Sequence, residues 1–232
     1  MDDGKEFFYV YFAGALFNHK DLLGNAALAE SIYRVSNGRF RCALPQNFEN
    51  RKFSPKMIRD EDITNLIQCD LAVFNYDGSE LDSGTVVEFM FAKFADIPSL
   101  ILRTDFRGGG DCAGIEEKLP WNLMSSFYPR TKVLLADSSM LYKKAFCEHM
   151  MDESTSYSSS MSGVAAASKM IGTISEKVVR DLEELLVSKP IMPEESRGAV
   201  YEWLLQMPGL DSEGSRERIK MALERKIGKK LL

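Results

Sequence analysis

Histidine is scarce in this chain: His19 and His149 are the only two among 232 residues. So few imidazoles leave little from which to build a Ser-His-Asp triad or a His-rich metal centre. Cysteine offers no substitute. Cys42, Cys69, Cys112 and Cys147 are scattered without a C-x-x-C pair, which argues against a zinc site or disulfide framework and for reduced thiols in the cytoplasm. Positive charge is not in excess either. A formal net charge of -5 weighs against a nucleic-acid polymer, which needs clustered Lys and Arg. Apolar runs such as "FFYVYFAGALF" stop well short of the ~20 residues of a membrane span. The opening "MDDGKEFFYV" is acidic where an export signal is basic. No membrane partner is expected.

What is present is an alternation of short apolar runs with amphipathic stretches. "FFYVYFAG" reads as a first strand ending at Gly14, and "DLLGNAALAESIYRVS" as a helix through Leu22, Ala26, Ala29 and Tyr33. "RFRCALP" is a second strand stopped by Pro45. In "SPKMIRDEDITNLIQ" Ser54 stands as N-cap and Pro55 at the first helical position. "DLAVFNY", "PSLILRT" and "KVLLA" supply strands three to five. "SGTVVEFMFAKFA" is the helix between strands three and four, and a last helix runs from about Ser138 to Met151. This pattern predicts an α/β fold with a doubly wound, five-stranded parallel sheet, whose ligands sit beyond the carboxyl ends of the strands. The segments "PQNFENRKF" and "DFRGGGDCAGIEEKLPWNLMSSFYPR" are long enough to act as binding loops or lids.

The organisation reads as a catalytic domain over residues 1–150, a Ser-rich linker over 151–163, and a helical extension over 164–232. The extension holds three expected helices, about Val164 to Val187, Pro193 to Gln206 and Ser212 to Ile227. They form a small bundle or an oligomerisation arm.

The chemistry concentrates in "DLAVFNYDGSELDSGTVVEFMFA", from Asp70 to Ala92. Glu88 has two readings. Thr85 and Glu88 have the T-x-x-E spacing of a capping box. Alternatively, Glu88 is an ionised carboxylate held at the mouth of the third strand, able to attack an electron-poor carbon. Asp82 is an N-cap for the same helix or a second site carboxylate. Asp77, in a "YDG" turn, and Glu80 are expected to stay solvated. "RDEDITN" adds Asp60, Glu61 and Asp62, among which composition does not choose. Paired carboxylates without a metal or triad suit glycosidic bond cleavage.

Together, "YFAGALFN", the Asp70–Ala92 segment and "LPWNLM" resemble the nucleoside 2-deoxyribosyltransferases, over approximately Phe8 to Phe146. The resemblance implies a flavodoxin-like domain that moves 2-deoxyribose between nucleobases in nucleotide salvage. Glu88 would be the nucleophile on C1', forming a covalent deoxyribosyl-enzyme, and a second base would attack with net retention. Asp82 would hold the 5'-hydroxyl and orient Glu88. The family's base-protonating Asp lies eight residues before the Asp that opens strand three, which selects Asp62. Tyr11, Phe17, Gln46 and Gly84 would bind substrate. Asn122 and Met124 would reach into a neighbouring subunit's site, making the active unit a homodimer or a larger homo-oligomer. Their local alternatives are a turn residue for Asn122, core packing for Met124, and plain hydrophobic core for Tyr11 and Phe17. Substrates would be a 2'-deoxynucleoside and a free nucleobase, with no cofactor, since protonation stabilises the departing base.

The tail departs from the family, whose terminal carboxylate can join a neighbour's site, and so does the long stretch from Thr104 to Trp121. Two other functions remain open at this point. One is a hydrolase acting on 2'-deoxynucleoside 5'-monophosphates, whose members tend to carry Ser at the position of Asp82. The other is a nucleotide-binding sensor module without turnover.

Overall fold

Side chains alternate between faces along a strand, and this decides how the sheet is covered. In the computed structural model, β1 (Phe8–Ala13) sends Phe8, Val10 and Phe12 to one face and Tyr11 and Ala13 to the other. Residues 6–48, 54–105, 121–152, 159–210 and 212–232 are described, with side chains except at 149–152 and 159–162. β2 (Phe40–Ala43), β3 (Leu71–Asn75), β4 (Ser99–Arg103) and β5 (Thr131–Leu135) complete one sheet. Its order is β2-β1-β3-β4-β5, with every neighbouring pair parallel. This is the flavodoxin-like, doubly wound order, with its switch point between β1 and β3. Continuous burial of β3 and β4 is what a parallel sheet covered on both faces requires.

The helices begin where local chemistry says they should. Before α2 (Pro55–Gln68), the Ser54 hydroxyl accepts from the Met57 amide at 3.3 Å, and Pro55 takes the first helical position. Before α1 (His19–Val35), the Asn18 side chain accepts from the amides of Lys20 and Asp21. α3 (Ser83–Phe94) and α4 (Ser138–Asp152) follow β3 and β5. A 3-10 turn, Pro45–Asn47, opens the loop after β2. Most of that loop, and the Gly-rich part of the loop after β4, lie outside the described residues.

The C-terminal helices depart from expectation. α5 (Ser159–Leu186) begins inside the segment read as a Ser-rich linker; residues 153–158 lie outside the described residues. Gly163 is in the helix, where an added Cβ would stand 3.2 Å from the Tyr142 hydroxyl of α4. Close packing of α4 against α5 therefore outweighs the weak helix propensity of Ser and Gly.

α5, α6 (Arg197–Gln206) and α7 (Glu213–Gly228) do not form a bundle of their own. Ile174, Val178, Leu182 and Leu185 share the core of Val10, Phe12, Val73 and Leu100. Tyr201, Leu204 and Ile219 share the opposite core with Phe74, Phe89 and Leu66. The tail thus completes both layers.

Polar bonds then fasten it to the end of the sheet where strands begin. Asp70, fully buried before β3, accepts from Arg225 Nε at 3.2 Å and Lys229 Nζ at 3.0 Å. Lys226 is buried too, donating to the Ile67 carbonyl at 2.5 Å and the Tyr201 hydroxyl at 3.2 Å. Burial pulls its ammonium down to about 7. The opposite end, where β1 and β3 finish, stays open. There the chain approaches itself closely: a Cβ at Gly14 would lie 3.0 Å from Asn75 Cβ.

Candidate active site

Glu88 lies in the second turn of α3, on the face turned to β1. Its carboxylate Oε1 accepts a hydrogen bond from the Tyr11 hydroxyl at 2.7 Å. Tyr11 is fully buried, as a core residue would be, yet its hydroxyl serves Glu88. The capping-box alternative therefore fails. Asp82 is the N-cap, its Oδ2 accepting from the Thr85 amide at 2.7 Å and the Thr85 hydroxyl at 2.8 Å. One carboxylate oxygen of Asp82 thus fixes the helix start, while Oδ1 makes no such cap bond. Gly84 allows this geometry, since a Cβ there would come within 3.1 Å of Asp82 Oδ2.

The acidic triplet on α2 separates cleanly. Asp60 pairs with Lys56 at 2.7 Å and with Arg59. Glu61 pairs with Arg218 of α7 at 2.9 Å and accepts from Asn65. Asp62 instead acts on Glu88 and Tyr11 through its charge. Burial pushes the Glu88 carboxyl up to about 7. The Tyr11 bond opposes that rise, and the negative charges of Asp62 and Asp82 add to it. Burial, and then the Glu88 and Asp62 charges, raise the Tyr11 phenol well above its ordinary value. Tyr11, Asp62, Asp82 and Glu88 therefore form one electrostatic unit, with a carboxylate poised near neutrality.

The sign of the Tyr11 contribution gives a test. Its donated bond favours the ionised form of Glu88, so Tyr11→Phe moves the Glu88 titration to higher pH. If ionised Glu88 drives a reaction, log kcat/KM climbs with pH and levels off near pH 7 in the wild type. In Tyr11→Phe the climb is displaced to the alkaline side, and activity at pH 6.5 falls by about tenfold. A pH–rate profile checks both.

Other expected site residues are more dispersed. Phe17 is 77% exposed and lines a cleft of about 940 Å³ that Asp82 also lines. Glu88 does not line this cleft, so Asp82 marks the boundary between the two. Gln46 donates through Nε2 to the Leu22 carbonyl at 3.1 Å, while its buried Oε1 has no hydrogen-bond partner. Asn122 is a turn residue as well, its side chain accepting from the Met124 amide at 2.8 Å to cap the 3-10 turn Leu123–Ser125. Met124 is 78% exposed, which overturns its core-packing alternative. Asp77 is not left to solvent. Its carboxylate accepts from the Thr104 amide at 2.5 Å, the Thr104 hydroxyl at 2.7 Å and the Asp105 amide at 2.9 Å, tying the loop after β3 to the end of β4.

Sequence reasoning assigned Thr85 to a capping box with Glu88 and so missed that it holds Asp82 in place, and it missed Met170, Ile171 and Ile174 of α5, which also line the cleft. The available signal for the latter was the helical spacing in "KMIGTISEKV". Among the described residues no group of three His, Cys, Asp or Glu is arranged to hold a metal ion, and no helix is long and apolar enough to cross a membrane.

The structure is thus an α/β protein with a doubly wound parallel sheet, and a half-buried carboxylate with two acidic neighbours lies near its switch point, where such sheets bind ligands. Residues 10–124 match the family model for nucleoside 2-deoxyribosyltransferase, and through this segment the chain belongs to that family. Two solved structures are similar to it. A conserved protein from Enterococcus faecalis V583 is 28% identical, with a TM-score of 0.48, covering 58% of this chain and 94% of that one. A 2-desoxiribosyltransferase from Leishmania mexicana is 22% identical, with a TM-score of 0.43, covering 61% and 98%. No curated protein matches the chain.

Proposed function

We propose that this protein is a nucleoside deoxyribosyltransferase that breaks the N-glycosidic bond of a 2'-deoxynucleoside and passes the sugar to another base. The observation that carries this reading is the Tyr11–Glu88 bond of 2.7 Å, with Asp62 and Asp82 both acting on the same carboxylate. A Glu88 oxygen attacks C1' and forms an ester bond to the sugar. The C1'–N bond breaks, and the base leaves with a proton from Asp62. Asp82 accepts the 5'-hydroxyl through the oxygen that does not cap α3. An incoming base then gives its N–H proton to Asp62 and attacks C1', Glu88 departs as carboxylate, and two inversions give net retention. The side-chain amide carbonyl of Gln46, whose Oε1 has no hydrogen-bond partner, is suited to accept from an N–H on the base. No cofactor enters these steps, and reduced thiols suit a cytoplasmic enzyme of nucleotide salvage.

The acidic loop supports an unphosphorylated sugar over a nucleoside 5'-monophosphate. A phosphate placed ~4 Å from the Asp82 carboxylate meets repulsion of ~1 kcal/mol per charge pair in bulk water, and ~4 kcal/mol at the dielectric typical of a protein surface. By resemblance to the family, Asn122 and Met124 are proposed to reach into a neighbouring copy's site, which would make the working unit at least a homodimer. The exposed apolar side chains of Leu123, Met124 and Phe127 suit such a contact.

Incubation with a 2'-deoxynucleoside and a different free base tests the reading. A new deoxynucleoside is expected. Free deoxyribose alone would make the protein a hydrolase, and no turnover would leave a binding module. Ribonucleosides should react at least tenfold more slowly, because the 2'-position packs against Glu88 and its neighbours; comparable rates would refute that packing.

A further inference from the structure

The cleft beside Asp82 is larger than the carboxylate site needs. It spans about 940 Å³ at the upper end of volumes that hold whole small ligands. One wall comes from the start of α1 and the loop before it, another from the loop between β3 and α3. The third wall is α5, through Met170, Ile171 and Ile174, which lie well outside residues 10–124. With Phe17 and Leu28, these side chains are the large apolar part of the lining. The charged part of the lining is mostly acidic: Asp21, Asp77, Glu80, Asp82 and Asp105, against Lys20 as the only cation among the described lining residues.

We infer that this cleft is a specificity subsite, built partly by α5, for a non-anionic, apolar-tipped extension on the 5'-atom of the nucleoside. The inference rests on the proposed function, which places the sugar's 5'-group on Asp82. Asp82 shares the lining of this cleft with Leu81, Glu80, Phe17 and Ile174. Anything attached beyond the 5'-atom enters it. Asp82 is an acceptor, so the 5'-atom must keep a hydrogen to donate, which an ether oxygen lacks and an amine retains. The surrounding carboxylates favour a positive charge at that amine and disfavour a phosphate. The α5 wall then buries whatever apolar group the amine carries. A 5'-alkylamino-2',5'-dideoxynucleoside meets all three requirements.

Calorimetric titration of the full chain tests this with three ligands in both an adenine and a thymine series. They are the 2'-deoxynucleoside, its 5'-monophosphate, and its 5'-deoxy-5'-benzylamino analogue. In whichever series the parent binds, the benzylamino analogue should bind at least tenfold tighter and the monophosphate more weakly. Ile171→Trp, which fills space at the apolar lining, should cut the tenfold gain to under threefold; Met170→Ser provides the same reading if that variant folds poorly. The inference is overturned if the analogue binds no tighter than its parent in either series, if both variants keep the gain, or if the monophosphate binds tightest. Base exchange measured on the same samples separates the two ideas. Exchange without the gain removes only the subsite, and the gain without exchange removes only the transferase reading.

Discussion

Glu88→Gln is expected to lower kcat/KM for base exchange by ~10⁴-fold or more, because an amide cannot form the ester to C1' that divides the reaction into two easier steps. Glu88→Ala should do the same. Quenching the wild type with a 2'-deoxynucleoside and no acceptor base should leave a deoxyribosyl mass increment on the peptide containing Glu88, absent from Glu88→Gln. The loss cannot be put down to unfolding, because the same change should stabilise the protein at alkaline pH. The Glu88 carboxyl titrates at about 7 in the fold, against an ordinary 4.5. Between those values the folded state holds a proton that the unfolded state has lost. Stability therefore falls as pH rises through that window, and the full cost is present above pH 7. Discounted for partial exposure, the cost is ~1–3 kcal/mol. Glu88→Gln removes it, so its urea midpoint should exceed that of the wild type at pH 8 and match it near pH 4.5. Retained turnover in Glu88→Gln, or an adduct on a different residue, would end the covalent mechanism.

Such a stabilising loss of function would be the physical mark of a site. A carboxylate beside Tyr11, Asp62 and Asp82 is expected to be worse for folding than an amide and, under the proposed mechanism, better for chemistry.

The sheet and its helices were legible because their signals are local. Ser54 before Pro55, the alternating residues of β1 and the apolar run of β3 each carry their meaning within a few positions. The helix that bears Glu88 was legible for the same reason. What held Glu88 was not. Thr85 and Glu88 fit a capping box, and Asp82 and Thr85 fit a cap equally well. The hydroxyl that decides between them belongs to Tyr11, 77 residues earlier. Asp77 reads as a solvated turn until Thr104, 27 residues on, is brought against it. Asp60, Glu61 and Asp62 are alike in sequence, and part only because Arg218 of α7 arrives beside Glu61. The amphipathic tail could be read as helices, but not where its faces go. Its partners, Asp70 for Arg225 and Asp96 for the segment before α6, are set by the closed fold.

Asp96 carries the largest expected effect on stability. It follows α3 at φ 53, a left-handed conformation that Asp tolerates better than most residues. Only 4% exposed, it gives one carboxylate oxygen to Arg130, just before β5, and the other to the tail. Oδ1 pairs with Arg130 NH1 at 2.9 Å, and Oδ2 accepts from the amides of Ile191 and Met192 at 2.8 and 2.9 Å. Arg130 in turn donates to the Leu231 carbonyl at 3.0 Å and to Ser188 Oγ at 3.2 Å. Asp96→Ala would leave a buried guanidinium without its counter-charge and two amides without an acceptor. The expected cost is ~3–5 kcal/mol, a large share of the ~5–15 kcal/mol that holds a typical domain together. Thermal unfolding should fall by ~10 °C or more for a chain of this size. Asp96→Asn tolerates the same backbone conformation and keeps one acceptor oxygen, so it should lose clearly less. Replacing both partners, as Asp96→Asn with Arg130→Met, should recover part of the loss, since the worst element is the stranded charge and not the missing attraction. A cost below ~1 kcal/mol for Asp96→Ala would mean that the apolar faces of α5, α6 and α7 hold the tail without this pair.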